Sequence, residues 1–329
     1  MFEIKARLVL AILAFTLFVV VQITRVNINI AVVVLESTRS MHGISDKAII
    51  LGSFYWCYWM TELPGAFLAQ KVSNGASIGA SLTNALGGLI LAKYDWQYLF
   101  YGTGMLSILW TLVWWRCAFD TPVQHPRISV VERQYLEEHI CHVGQTKHFV
   151  PWRDMLMSKA FWAVLLATLG LMWSVITLAM QLPSYLAQVH HVDIKTNGLL
   201  LSVPDICKFI FGLKFSSLAD NCIKNDRISI TRARKIAVIF SHLLPATLLF
   251  LLAFYGHCHL TVAISLIIST ITIGGASASG TISNMVDISP NNAGIIMGTV
   301  KTLCVIPGIL SPILVQYLTT CVSTIYEFS

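Results

Sequence analysis

Apolar runs separated by short polar stretches recur along the whole chain, and most are close to the roughly 20 residues that a helix needs to cross the hydrocarbon of a bilayer. Nine of them centre on residues 8–34, 48–69, 74–92, 97–117, 160–188, 198–219, 235–256, 260–282 and 294–318. The third is the most polar, with Ser81, Thr83 and Asn84 in its middle. Small polar residues of this kind suit a helix packed inside a bundle. The pattern predicts an all-α fold, a polytopic membrane bundle of nine transmembrane helices.

The first run begins close to Met1 behind Lys5 and Arg7, as a secretory signal would. It continues past the length of an ordinary signal core, however, and no small-residue cleavage site follows it. It reads as a span, and the two cations put the N-terminus in the cytoplasm. Alternating from there, the inner loops hold Lys71, then Arg116 to Lys159, then Lys224 to Lys235. The outer loops hold only Arg39, Lys47, Lys93 and Lys195. The longest polar stretch divides the chain into a first bundle of four spans (1–119), a cytoplasmic linker (120–159), a second bundle of five spans (160–318) and a tail (319–329).

Composition sharpens this picture. Hydrophobic residues make up 56% of the 329 and charged residues 12%, about half the share found in soluble domains. The net charge of +6 is accounted for by the inner loops, so the chain offers no basic surface for nucleic acid.

Several stretches identify a family. They are Arg25-Val-Asn27-Ile-Asn29-Ile-Ala31-Val, Gly52-Ser-Phe-Tyr55 leading to Glu62-Leu-Pro64-Gly65, and Asp120-Thr-Pro122 with Arg127-Ile-Ser129. Further on come Val150-Pro151-Trp152, Leu182-Pro183-Ser184-Tyr185 and Leu218-Ala219-Asp220-Asn221. The most specific set is Ser279-Gly280, Asn284, Asp287-Ile-Ser289-Pro290 and Ala293-Gly294, followed by Ile306-Pro307-Gly308 and Pro312. In this order they resemble the anion–cation symporters of the major facilitator superfamily, which include sialin-like, vesicular glutamate and sodium–phosphate cotransporter-like members. The resemblance implies a twelve-span fold lacking here its third, fourth and twelfth spans. It also implies secondary active transport of an organic anion or phosphate, with Na⁺ or H⁺ as coupling ion.

Arg25 is the sharpest candidate, since a guanidinium inside an apolar run must face a cavity, a partner or an anion, or else snorkel to the surface. Its planar fork suits carboxylate or phosphate, and the resemblance implies that it contributes to the anion site. Tyr185 and Asn284 match family positions on cavity-facing helices and would orient the anion; bonding between helices is the competing role. Glu62 and Lys301 are candidates for the coupling group. Asn27 reads as packing, and Lys208 and Lys214 as snorkelling towards the cytoplasmic boundary. Asp220 matches an acidic loop motif that locks helices in one conformation. Met285, Ile176 and Asn292 depart from the family pattern.

The eight cysteines are scattered without metal spacing, and neither a phosphate-binding glycine loop nor a nucleophile motif occurs. Enzyme activity, a resident cofactor and a bound metal are therefore not expected. The expected partners are a small anionic solute and the bilayer, with plasma, lysosomal and vesicular membranes all open and the oligomeric state undetermined. Two functions stay in play: a working symporter, and a shortened form that does not transport.

Overall fold

The computed structural model describes residues 6–37, 51, 75–117, 128–129, 134, 152–256, 259–289 and 292–327. All regular structure among them is helical. The first bundle contributes α1 (Ala6–Ser37), α2 (Gly75–Leu91) and α3 (Trp96–Cys117). A short α4 (Trp152–Met157) precedes α5 (Lys159–Gln188) and α6 (Ile194–Lys224). The chain continues through α7 (Ile230–Val238), a π turn (Ile239–Leu243) and α8 (Leu244–Tyr255). Next come α9 (Leu260–Ile273), a 3₁₀ turn (Gly274–Ala278) and α10 (Thr281–Ile288). Finally, α11 (Ala293–Leu303) and α12 (Ile306–Glu327) meet at a break around Cys304.

Eight of the nine expected spans coincide with these helices or helix pairs, and the second lies outside the described residues apart from Leu51. Among the described residues, five runs are apolar and long enough to cross a membrane: Phe15–Val34, Lys159–Gln188, Ile230–Tyr255, Leu260–Ile288 and Ala293–Thr319. α6 has the length but carries charges along its middle.

Burial departs from that of a soluble protein in two ways. Tyr101, Ile108, Trp115, Leu166 and Phe250 point outward, while Asn27, Asn29, Asn84, Thr168, Asn197 and Ser202 are buried. In hydrocarbon an outward Leu or Phe costs nothing, whereas a polar side chain must find its partner inside the bundle. The hydrogen bonds follow that rule: Asn27 Nδ2 donates to Thr103 Oγ1 at 2.6 Å, tying α1 to α3, and Asn197 Nδ2 donates to the Pro183 carbonyl at 2.7 Å.

α5 is the central column. Phe161, Val164 and Leu165 near its start pack on Met285 of α10 and Ile296, Met297 and Val300 of α11. Ile176 and Met180 meet Val32 of α1 and Leu51, and Leu182 and Leu186 meet Leu201 of α6 and Ile267 of α9. Helices from before and after residues 120–151 meet along two main seams, α1 on α5 and α2 on α6, with a smaller contact of α1 on α6. Along the second seam glycine is obligatory, because a Cβ on Gly88 would come 2.9 Å from the Gly198 Cα.

Candidate functional site

Below the α2–α6 seam the helices part around a cavity of about 660 Å³. α1, α2, α5, α6, the π turn, α8, α9, the 3₁₀ turn, α10 and α11 all contribute to its wall. Two broken helices therefore lie side by side against it. The π turn sits where α7 gives way to α8, and Pro245 just beyond it cannot donate into the preceding turn. The 3₁₀ turn interrupts α9 and α10, and Gly280 closes that break. A Cβ on Gly280 would stand 3.2 Å from the Ala237 Cβ and the Val238 nitrogen, so a glycine there lets the two breaks nest.

Breaks inside a membrane helix leave backbone groups without partners, and these must be satisfied locally. Arg234 of α7 does this for one of them. Its Nη1 donates to the Ser279 carbonyl at 2.8 Å, and its Nε donates to Asp287 Oδ2, also at 2.8 Å. Those two bonds tie α7 to the α9–α10 break at Ser279 and to the far end of α10 at Asp287.

The charged side chains on the cavity wall among the described residues are Arg25 of α1, Asp205 and Lys208 of α6, and Lys301 of α11. Lys208 lies within electrostatic range of Asp205, three residues away on the same helix face, and of Arg25 across the cavity. Asp205 Oδ2 accepts from Asn84 Nδ2 of α2 at 3.1 Å, and the same amide reaches the Leu201 carbonyl at 3.3 Å. Among the described residues, three cations thus share the cavity wall with one carboxylate already engaged by an amide. Such a wall attracts an anion, and the low dielectric inside a membrane protein strengthens the attraction.

Of the residues singled out from sequence, Arg25 and Lys301 are on the cavity wall. Tyr185 is elsewhere, near the end of α5. Its hydroxyl donates to the Gly256 carbonyl at 3.1 Å and lies 3.3 Å from His190 Nε2, with the two rings edge to face. Asn284 is half-buried on α10 but not among the lining residues. Asp220 is exposed near the end of α6, and Glu62 lies outside the described residues. Lys208 does not snorkel to a boundary as expected; it is half-buried on the cavity, while Lys214 is exposed. Sequence reasoning also passed over Asp205 and His242, although an ionisable residue within a span is itself a functional signal.

The Major Facilitator Superfamily model matches residues 71–312. The chain belongs to the major facilitator superfamily. That superfamily consists of membrane transporters, not enzymes, and the chain is a multi-pass membrane protein of it. Human sialin is 29% identical over 85% of this chain and 57% of its own length. Human sodium-dependent phosphate transport protein 4 is 27% identical over 84% of this chain and 66% of its own length. Vesicular glutamate transporter 3 of Danio rerio is 30% identical over 80% and 45%. This chain therefore spans about three-fifths of the length of the sialins it matches. Its fold is that of a bacterial homologue of the human lysosomal transporter Spinster, crystallised inward-facing and unoccupied. The TM-score is 0.59 at 13% identity, covering 96% of this chain and 83% of that one.

Proposed function

We propose that this chain carries a small organic anion or inorganic phosphate across a membrane by alternating access, coupled to Na⁺ or H⁺. The observation that carries the reading is the excess of cations among the described residues, Arg25, Lys208 and Lys301 against Asp205, on a cavity of about 660 Å³. That volume suits a small molecule, since ligand pockets run from roughly 300 to 1,000 Å³. Relatives named for phosphate and glutamate transport point to the same solute class.

Each residue has a role in this scheme. The Arg25 guanidinium grips two oxygens of the anion in its planar fork. Lys208 of α6 and Lys301 of α11 supply point charges, and Asp205 tempers Lys208 while the cavity is empty. Lys301 doubles as a coupling candidate. Tyr185 braces the end of α5 instead of touching the anion, and Asn284 packs α10. The bundles of residues 1–119 and 160–318 rock about the α2–α6 and α1–α5 seams, with the N-terminus in the cytoplasm.

Uptake of radiolabelled phosphate and glutamate into proteoliposomes of the purified chain, under imposed Na⁺ and pH gradients, tests the proposal. Gradient-driven uptake of either anion that disappears in Arg25→Ala is the expected result. Absence of uptake of both by folded protein, beside an active full-length relative, would leave the chain a member of the superfamily that does not transport them.

A further inference from the structure

His242 sits on the π turn at the cavity wall, and its surroundings are unusual for a neutral imidazole. Nε2 lies 2.9 Å from the Ala167 carbonyl of α5, which can only accept, so Nε2 carries a proton. Nδ1 lies 3.1 Å from a second carbonyl, that of Val238, and 2.8 Å from the Ser241 hydroxyl. A neutral ring protonated at Nε2 would turn the bare Nδ1 lone pair towards the Val238 oxygen, two acceptors facing each other. Only the Ser241 O–H would then donate to Nδ1. A proton on Nδ1 removes the conflict, because the N–H donates to Val238 O and to Ser241 Oγ. The serine O–H is then released and can turn to the Val238 carbonyl, 3.3 Å away.

We propose that His242 is a proton-binding site of the cavity, switched through Ser241 and linked to occupancy of the cavity by an anion. The proposal rests on the anion reading above and extends it to a named coupling residue. Imidazole is the side chain that ordinarily changes charge between about pH 5 and 8. The π turn is the kind of local distortion that accompanies functional positions in helices, and here it aims residue 242 at the cavity wall.

The neighbouring charges set the linkage. Among the described residues packed on the π turn, α5, α8 and the 3₁₀ turn bring no charged side chain to the cavity. On α7, Arg234 is held by Asp287 and Lys235 is exposed. Among the described residues, the charged side chains that line the same cavity as His242 are Arg25, Lys208, Lys301 and Asp205. An anion bound among the three cations lowers the positive potential of the cavity and so favours a proton on His242. By reciprocity, the proton favours the anion to the same extent. A proton and an anion that help each other bind travel together.

Two readouts test this on the full chain. In nanodiscs, ¹⁵N-histidine spectra identify the His242 signal by its absence in His242→Gln. That signal is expected to respond to pH and to move towards the charged form when inorganic phosphate is added. In proteoliposomes, His242→Gln is expected to lower the ratio of proton-gradient-driven phosphate uptake to phosphate exchange, and Ser241→Ala to shift the pH midpoint of uptake. A His242 signal that does not respond to pH, or one indifferent to phosphate bound elsewhere in the same sample, overturns the proposal. So does a His242→Gln ratio equal to that of the unaltered chain. If the unaltered chain moves no phosphate, the transport reading fails for that anion and the nitrogen signal alone decides the proton site.

Discussion

Between Gly198 and Ser202, α6 lies with its backbone against α2, whereas from Asp205 to Gly212 the same helix borders the cavity and carries a carboxylate and an ammonium. In the first stretch a Cβ on Gly198 would run into the Asn84 carbonyl oxygen and come 2.8 Å from the Gly88 Cα. The side chains that do project into the seam make hydrogen bonds: Ser81 Oγ donates to the Ser202 carbonyl at 3.0 Å and Asn84 to that of Leu201. Helices in lipid gain little by hiding apolar side chains from one another, so close approach and hydrogen bonds hold them. The second stretch needs the opposite, long charged side chains with space in front of them. Asn84 links the two, since one amide serves both the seam and Asp205.

The comparison breaks most severely at Gly198. Gly198→Val places a branched side chain against backbone that cannot give way, and overpacking of this kind costs about 1–3 kcal/mol or more. Thermal unfolding in detergent should show the largest loss of the series, with Gly104→Val, which has open space around it, as the control. A Gly198 variant as stable as its control would mean that the seam does not hold the bundles.

At the other stretch the effect should fall on binding. Arg25→Ala should weaken phosphate binding by about 1.5–3 kcal/mol, roughly 10- to 100-fold. Arg25→Lys should recover only part of it, because an ammonium lacks the fork. Equal affinity in Arg25→Ala and the unaltered chain would remove Arg25 from the site.

Asn84→Leu tests the link. It removes two interhelical bonds worth about 0.6–1.7 kcal/mol each and frees Asp205 to compete with the anion for Lys208. Both unfolding temperature and phosphate affinity should fall; a change in one alone would show that the stretches are independent.

Tyr185→Phe discriminates between the sequence expectation and the geometry. Loss of the bond to Gly256 should lower stability by about 0.6 kcal/mol and leave phosphate affinity where it was. A drop of tenfold or more in affinity would restore Tyr185 to the anion site.

The smallest effect belongs to the start of α6. Asp193 caps it through Thr196, and those hydrogen bonds hold its carboxyl below the usual range. Because folding lowers that pKa, the cap stabilises the protein at neutral pH. The contribution fades as pH falls through the folded value. Asp193→Ala should fray the first turn of α6 and flatten the acid end of the stability profile, read by hydrogen exchange at residues 194–198.

Much of the fold was legible because lipid imposes one strong rule. A chain that must satisfy every backbone group within the hydrocarbon forms helices, and helices long enough to cross it stand out as apolar runs. Arg25 and Lys301 were legible for the same reason, as charges where charge is expensive. Lys208 was misread because its place in a span fits two outcomes, a stem that snorkels or an ammonium on a cavity. Which one holds depends on how α6 is rotated, and α2 decides that through Gly88. For Tyr185, a position near the end of α5 does not reveal that Gly256 is within reach of its hydroxyl.

By itself, then, the sequence determined the helices, their order, the family and the cost of placing Arg25, Lys208 and Lys301 in a bilayer. Hydrophobic length and charge are local quantities, readable along one strand of text. Only the tertiary structure decided that Asp205, Lys208 and His242 share a cavity with Arg25, and that two carbonyls from different helices meet one imidazole ring. Those are distances between residues as far apart as 25 and 301, set by how closely glycines let helices approach and where helices break, and no local pattern encodes them.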